Sequence, residues 1–150
     1  MNDEINSLIQ IAEKSGKGYY PRWEFLNAYS GCMVGNPAVS VLTDAYQKGI
    51  QNYPVDKSIQ YAINTVRTFG NNEDGYDPGD LSKTLEYAYS DWCVGTLLRS
   101  QNRVQEADIY LKKSKAYRNV WCDSVKWFRA RLSKEEWLPW KGKKYIGRVV

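Results

Sequence analysis

Residues Ser82–Trp92 read S-K-T-L-E-Y-A-Y-S-D-W, and the fold turns on how the apolar positions of this run repeat. At 100° per residue, Leu85, Ala88, Tyr89, Trp92 and Thr96 share one helical face. Tyr87, Val94 and Leu98 add a second apolar strip, which leaves Lys83 and Ser90 as the wet side. A helix that is apolar nearly all round is one buried between other helices. Glu86 and Asp91 lie inside that environment, where an unpaired carboxylate is costly and a functional one is often found. The run predicts a central helix over 82–99.

The flanking sequence supplies helices to pack around it. Ile5, Leu8, Ile9 and Ala12 follow the i, i+3, i+4, i+7 rule, predicting a helix over 3–14 that Gly16 and Gly18 end. Asn36-Pro37 is a helix start, with Asn36 as N-cap and Pro37 at the first helical position, and Gly49 is the stop. A helix after Pro54 turns Ile59, Ala62, Ile63 and Val66 inward and stops at Gly70. After the 101–103 turn, Val104, Ala107, Leu111, Ser114 and Tyr117 mark a further helix ending near Trp121. The periodicity is then lost: Val125–Arg131 reads as a strand or a turn, and Lys134–Trp140 as an aromatic loop. Helix pairs with short connections and no convincing strand ladder predict an all-α fold.

At 150 residues, with 43% hydrophobic and 25% charged content, the chain has the length and balance of one globular domain. Its 12 tyrosines and 6 tryptophans suit either a core of large rings or stacking on sugars or bases. The net charge of +4 sits in the last ten residues, on Lys141, Lys143, Lys144 and Arg148. Without those four, basic and acidic residues balance at 17 each, so no nucleic-acid surface is expected. Residues 141–150 read as a basic, unstructured tail. Cys32, Cys93 and Cys122 are odd in number and widely spaced, which supports neither a disulfide framework nor a zinc site. With no histidine, Ser-His and Cys-His nucleophilic catalysis are excluded within the chain. No apolar run is long enough for a membrane span, and no signal pattern opens the chain. Those observations leave either a cytoplasmic protein or a chain that begins inside a longer precursor.

Four residues stand out as candidates for function. Glu86 is either a surface glutamate paired with Lys83 one turn back, or a functional acid. Asp91 is a poor mid-helix residue flanked by apolar strips, so it needs a partner such as Arg22 or a loop backbone donor. The two acids are five residues apart, roughly 140° around the helix, and do not converge as the acid/base pair of glycoside hydrolysis. Arg22-Trp23, in the aromatic segment G-Y-Y-P-R-W-E-F (18–25), combines a rigid donor fork with a flat ring. That pairing grips a sugar or, equally, anchors a loop. The 71–80 stretch, N-N-E-D-G-Y-D-P-G-D, carries four carboxylates but lacks EF-hand spacing, and reads as an acidic turn.

Taken together, G-Y-Y-P-R-W (18–23), S-G-C-M-V-G-N-P-A-V-S-V-L-T-D-A-Y-Q-K-G-I (30–50), G-Y-D-P (75–78) and S-K-T-L-E-Y-A-Y-S-D-W-C (82–93) occur in order. In that order they closely resemble the catalytic region of glycoside hydrolase family 92, the calcium-dependent exo-acting α-mannosidases. Tyr117–Val120 and Trp127–Arg129 resemble that family's downstream segment, and the likeness runs over about residues 1–140. It implies part of an (α/α)6 barrel and inverting hydrolysis of α-mannoside glycans. It also implies sugar contact by Arg22, with Trp23, Glu86 and Asp91 near or supporting the pocket. Ser90-Asp91-Trp92 stands where the family often has D-D-W, which removes the first of those aspartates.

The family's acid, base and most calcium ligands are expected in E-G-N, G-N-E-P and G-N-D-D motifs, none of which occurs here. No catalytic residue and no metal ligand is therefore assigned within this chain, and calcium is expected only in full-length members. Such members are exported, which implies a periplasmic or extracellular parent enzyme. A partial barrel is expected to be inactive alone and to expose faces that favour poor solubility or oligomerisation. The competing reading is a tetratricopeptide-like interaction scaffold built on the 82–99 and 104–121 pair, with Ala88, Gly95 and Ala107 at close-packing positions. Against it, the helix pairs share no residues at a period of roughly 34.

Overall fold

The computed structural model describes residues 1–25 and 28–142. The five α-helices are α1 (Asn2–Lys14), α2 (Pro37–Gln47), α3 (Val55–Thr68), α4 (Leu81–Ser100) and α5 (Val104–Lys113). A 3-10 helix, Ser114–Val120, continues α5. Two short antiparallel hairpins complete the description, β1 (Glu24–Phe25) with β2 (Ala28–Tyr29) and β3 (Trp121–Cys122) with β4 (Trp127–Phe128). The fold is all-α in its core, as the periodicity predicts, and Val125–Arg131 resolves into the second hairpin.

α4 is the axis of the packing. It touches α2, α3, α5 and the 3-10 helix, and Val94, Leu97 and Leu98 lie fully inside. Thr43 of α2 donates to the Cys93 carbonyl at 3.2 Å and Gln47 to Ser100 at 2.5 Å, so α2 and α4 run in the same direction. Asn36, at the start of α2, donates to the carbonyl of Phe69 at the end of α3, so those two helices run oppositely. Ile59, Ala62, Ile63 and Val66 of α3 all point inward. This up-and-down arrangement brings the start of α2, the end of α3 and the first third of α4 to one end of the bundle.

Several expectations need correction. Ser90 is buried and donates to the Glu86 carbonyl at 2.9 Å, an i−4 back-bond that removes its need for water. The wet edge of α4 instead carries Glu86, Tyr89 and Trp92, and the two rings stack with centroids 6.0 Å apart and stay about half exposed. Lys83 reaches Asp77 at 3.8 Å rather than Glu86. Val104, the first residue of α5, and Tyr117 are exposed, and the helix tightens to 3-10 after Lys113, so the α-helical stripe does not carry through to Tyr117. Asn36 gives no side-chain cap to α2. Of the basic tail expected over 141–150, only Lys141 and Gly142 are among the described residues, and 143–150 lie outside them.

Candidate functional site

The aromatic segment after α1 is pinned to α3 before it reaches the site. The backbone N–H of Tyr20 donates to Thr65 Oγ1 at 2.8 Å, and its hydroxyl lies 2.8 Å from Ser58 Oγ. The ring is fully buried, and that burial pushes its phenol well above the usual range. Two residues on, Arg22 is buried, with its guanidinium 5.2 Å from the centroid of the Phe69 ring. Tyr19 packs edge-on against the same ring at 5.1 Å. A desolvated cation–π contact of this kind contributes about 2 kcal/mol. Trp23 follows at φ +51° and turns outward, 54% exposed. The arginine is thus packed against Phe69 while the indole lies on the surface.

Phe69 links this loop to α2 and α4. Its carbonyl accepts from Asn36 Nδ2 at 2.9 Å, while Asn36 Oδ1 is buried with no hydrogen-bond partner among the described residues. The preceding Gly35 has φ +91°, and a Cβ there would stand 2.8 Å from Glu86 Oε2. Glu86 therefore lies flat against the Gly35 backbone at the α2 entrance. Arg22, Asn36 and Glu86 come from three segments distant in sequence and reach this end of the bundle through Phe69 and Gly35. A guanidinium fork, a carboxylate and an orphaned amide oxygen form a donor–acceptor set of the kind that recognises a hydroxylated ligand. Asn36 was missed in the sequence because a helix-capping role accounted for it. The signal was the glycine before it, which lets the backbone approach another group closely.

Asp91 does not join this group. It is 3% exposed on the other side of α4 and makes no hydrogen bond among the described residues. Burial raises its carboxyl to about 7, against the pull of the Lys113 cation. The charged neighbour is thus Lys113 of α5 and not Arg22, as the sequence suggested. Asp91 lines a cavity of about 760 Å³ between the end of α3, the 70–75 turn, α5 and the 3-10 helix. Arg22, Trp23 and Glu86 are not among its lining residues.

The acidic turn is committed to structure. Asp74 pairs with Lys134 at 2.6 Å, and Asp80 caps α4 by accepting from the Lys83 N–H at 2.9 Å. Burial lifts the Asp77 carboxyl, opposed by Lys83. Among the described residues no three acids or cysteines gather where they would hold a metal ion.

Helix pairs packed around α4, with a polar group assembled at one end from loop and helix, define a segment of an (α/α) helical domain. The chain belongs to glycosyl hydrolase family 92, whose catalytic domain matches residues 1–147. Among solved structures, the family GH92 α-mannosidase BT3965 from Bacteroides thetaiotaomicron superposes with a TM-score of 0.86 at 26% identity, covering 99% of this chain and 22% of that one. The same enzyme in complex with mannoimidazole gives 0.82 at 28% identity, over 91% and 20%. The family GH92 inverting mannosidase BT2199 from that organism gives 0.77 at 30% identity, over 89% and 20%. The chain therefore spans about a fifth of the length of these relatives. No curated protein matches it. Family membership replaces the repeat-scaffold reading of the α4–α5 hairpin.

Proposed function

We propose that this chain is the sugar-contacting part of an inverting exo-α-mannosidase, acting on terminal α-mannosides of N-glycans or mannan, and that it does not turn over substrate by itself. The observation that carries the reading is the convergence of Arg22, Asn36 and Glu86 at one end of a chain whose family match runs over residues 1–147. Arg22 donates to sugar hydroxyls, Glu86 and Asn36 Oδ1 accept from them, and the exposed Trp23 offers its ring to the sugar's apolar face. Asp91 supports the helix from behind rather than touching the mannose. Calcium belongs to the complete enzyme.

Inverting hydrolysis requires a protonated acid and a base-held water on opposite faces of the bond, with the carboxyls about 6.5–9.5 Å apart and both facing the sugar. Glu86 is exposed against Gly35 and Asp91 is sealed behind α4, so these two do not supply the pair. Incubation of the purified chain with α-mannobiose and calcium is expected to release no mannose. Titration with mannoimidazole is expected to give weak, saturable binding that Glu86→Ala abolishes. Robust turnover would refute the inactivity, and binding unchanged by Glu86→Ala would refute the site.

A further inference from the structure

The cavity behind α4 has features that the mannoside reading leaves unused. Its floor holds two acceptors: Asp91, 3% exposed with Lys113 as its charged neighbour, and Asn71 Oδ1, which is buried with no hydrogen-bond partner among the described residues while its amide nitrogen donates to the Thr84 carbonyl at 3.0 Å. A buried, unpaired acceptor beside a second, half-satisfied one marks a place where donors are expected. One wall carries Lys112, Lys113, Lys115 and Arg118, none of them in an ion pair among the described residues. Across from them, Asp74 is paired with Lys134, and Glu73 has no ion pair among the described residues. Asn119 ties the two walls together by donating to the Asp74 and Gly75 carbonyls at 3.2 and 3.1 Å. The volume, about 760 Å³, is that of a small-molecule site.

We infer that this cavity is a second ligand site, distinct from the Arg22–Glu86 group, which takes a small polyhydroxylated anion of the sugar-phosphate class. The hydroxyls donate to Asn71 Oδ1 and Asp91 at the floor, and the phosphate lies against Lys112, Lys113, Lys115 and Arg118. Neither half suffices alone. A bare anion leaves Asn71 Oδ1 orphaned at the floor, and an uncharged sugar leaves the cationic wall unanswered.

The test is calorimetric titration of the whole chain at pH 7 with glucose 6-phosphate, glucose and inorganic phosphate as separate probes. Glucose 6-phosphate is expected to saturate with a Kd at least about tenfold below either other probe, equivalent to about 1.4 kcal/mol. The surface triple variant K112A/K115A/R118A should bind glucose 6-phosphate no better than glucose. Asp91→Leu, checked for fold by circular dichroism, should bind it no better than inorganic phosphate, and Glu86→Ala should leave it unchanged. Equal affinity for inorganic phosphate, no saturation by glucose 6-phosphate, or undiminished binding by the triple variant would each overturn the site. If Asp91→Leu does not fold, the triple variant decides alone. Failure of mannoimidazole binding leaves this result untouched, because the two sites share no residue.

Discussion

Glu86 lies so close to Gly35 that a single methyl group at the glycine would stand 2.8 Å from its Oε2. The contact places a carboxylate from the first third of α4 at the entrance of α2, and it exists only because position 35 has no side chain and adopts φ +91°. Gly35→Ala must strain the backbone and displace the carboxylate together. It is expected to lower stability by about 1–3 kcal/mol in urea denaturation. Glu86→Ala removes an exposed side chain and should stay within about 0.5 kcal/mol of the parent. The double variant should recover only the clash, since the positive φ remains. Equal stabilities for Gly35→Ala and the parent would contradict this geometry.

Asp91 sets a pH dependence of opposite sign to that of a salt-bridged acid. Its folded value near 7 exceeds the ordinary 3.8, so the folded state holds a proton that the unfolded chain has released. Stability from this group is full below the unfolded value and is lost as pH rises through about 7. At about 1.36 kcal/mol per unit, the loss is at most about 4 kcal/mol. The chain has no histidine to mask the effect in this window. Urea midpoints should therefore fall between pH 5 and pH 8, and Asp91→Asn should flatten the difference and be the more stable at pH 8. A parent midpoint that rises over this range would rule the burial effect out.

The helices were legible because their signals are local: stripe, proline start and glycine stop each act within a few residues, and α1 to α4 follow them closely. The faces of α4 were less so. Its apolar residues surround the axis, so the wheel carried no preference, and tertiary packing chose to bury Ser90 and expose Tyr89 and Trp92. In the candidate site, Arg22 and Glu86 were readable from chemistry and family motif. Their meeting ground at Phe69 and Gly35 was not, because it depends on α2 and α3 running in opposite directions. The separation of Glu86 from Asp91 was visible from spacing alone, but the cavity behind Asp91 is made by α5 and the 70–75 turn, whose approach no periodicity encodes.

The loop that carries Arg22 depends on one threonine. Thr65 Oγ1 accepts the Tyr20 N–H at 2.8 Å and donates to the Tyr61 carbonyl at 2.7 Å, all within the core. Thr65→Val keeps the volume but orphans a buried backbone donor, at a cost of about 1–3 kcal/mol. Hydrogen exchange should show the Tyr20 amide losing protection well before the α4 amides. Protection unchanged at Tyr20 would mean that another group takes over the bond.

Gly95 of α4 faces Leu111 of α5, where the absent side chain lets the two helices approach closely. A Cβ at Gly95 would stand 2.8 Å from both Cγ and Cδ2 of Leu111 and 3.1 Å from its backbone nitrogen. In an isolated helix, glycine to alanine is worth about 1 kcal/mol in favour of alanine. Here the added carbon meets the branch point of a leucine and the backbone itself, so α5 must shift, and overpacking of this kind costs about 1–3 kcal/mol. Gly95→Ala is expected to destabilise, opposite to its helix propensity. Adding Leu111→Ala relieves the side-chain clash, so the double variant should lose less than the sum of the two single changes. Additive losses in the double-mutant cycle would place Leu111 outside the contact and leave the alanine penalty to the backbone alone.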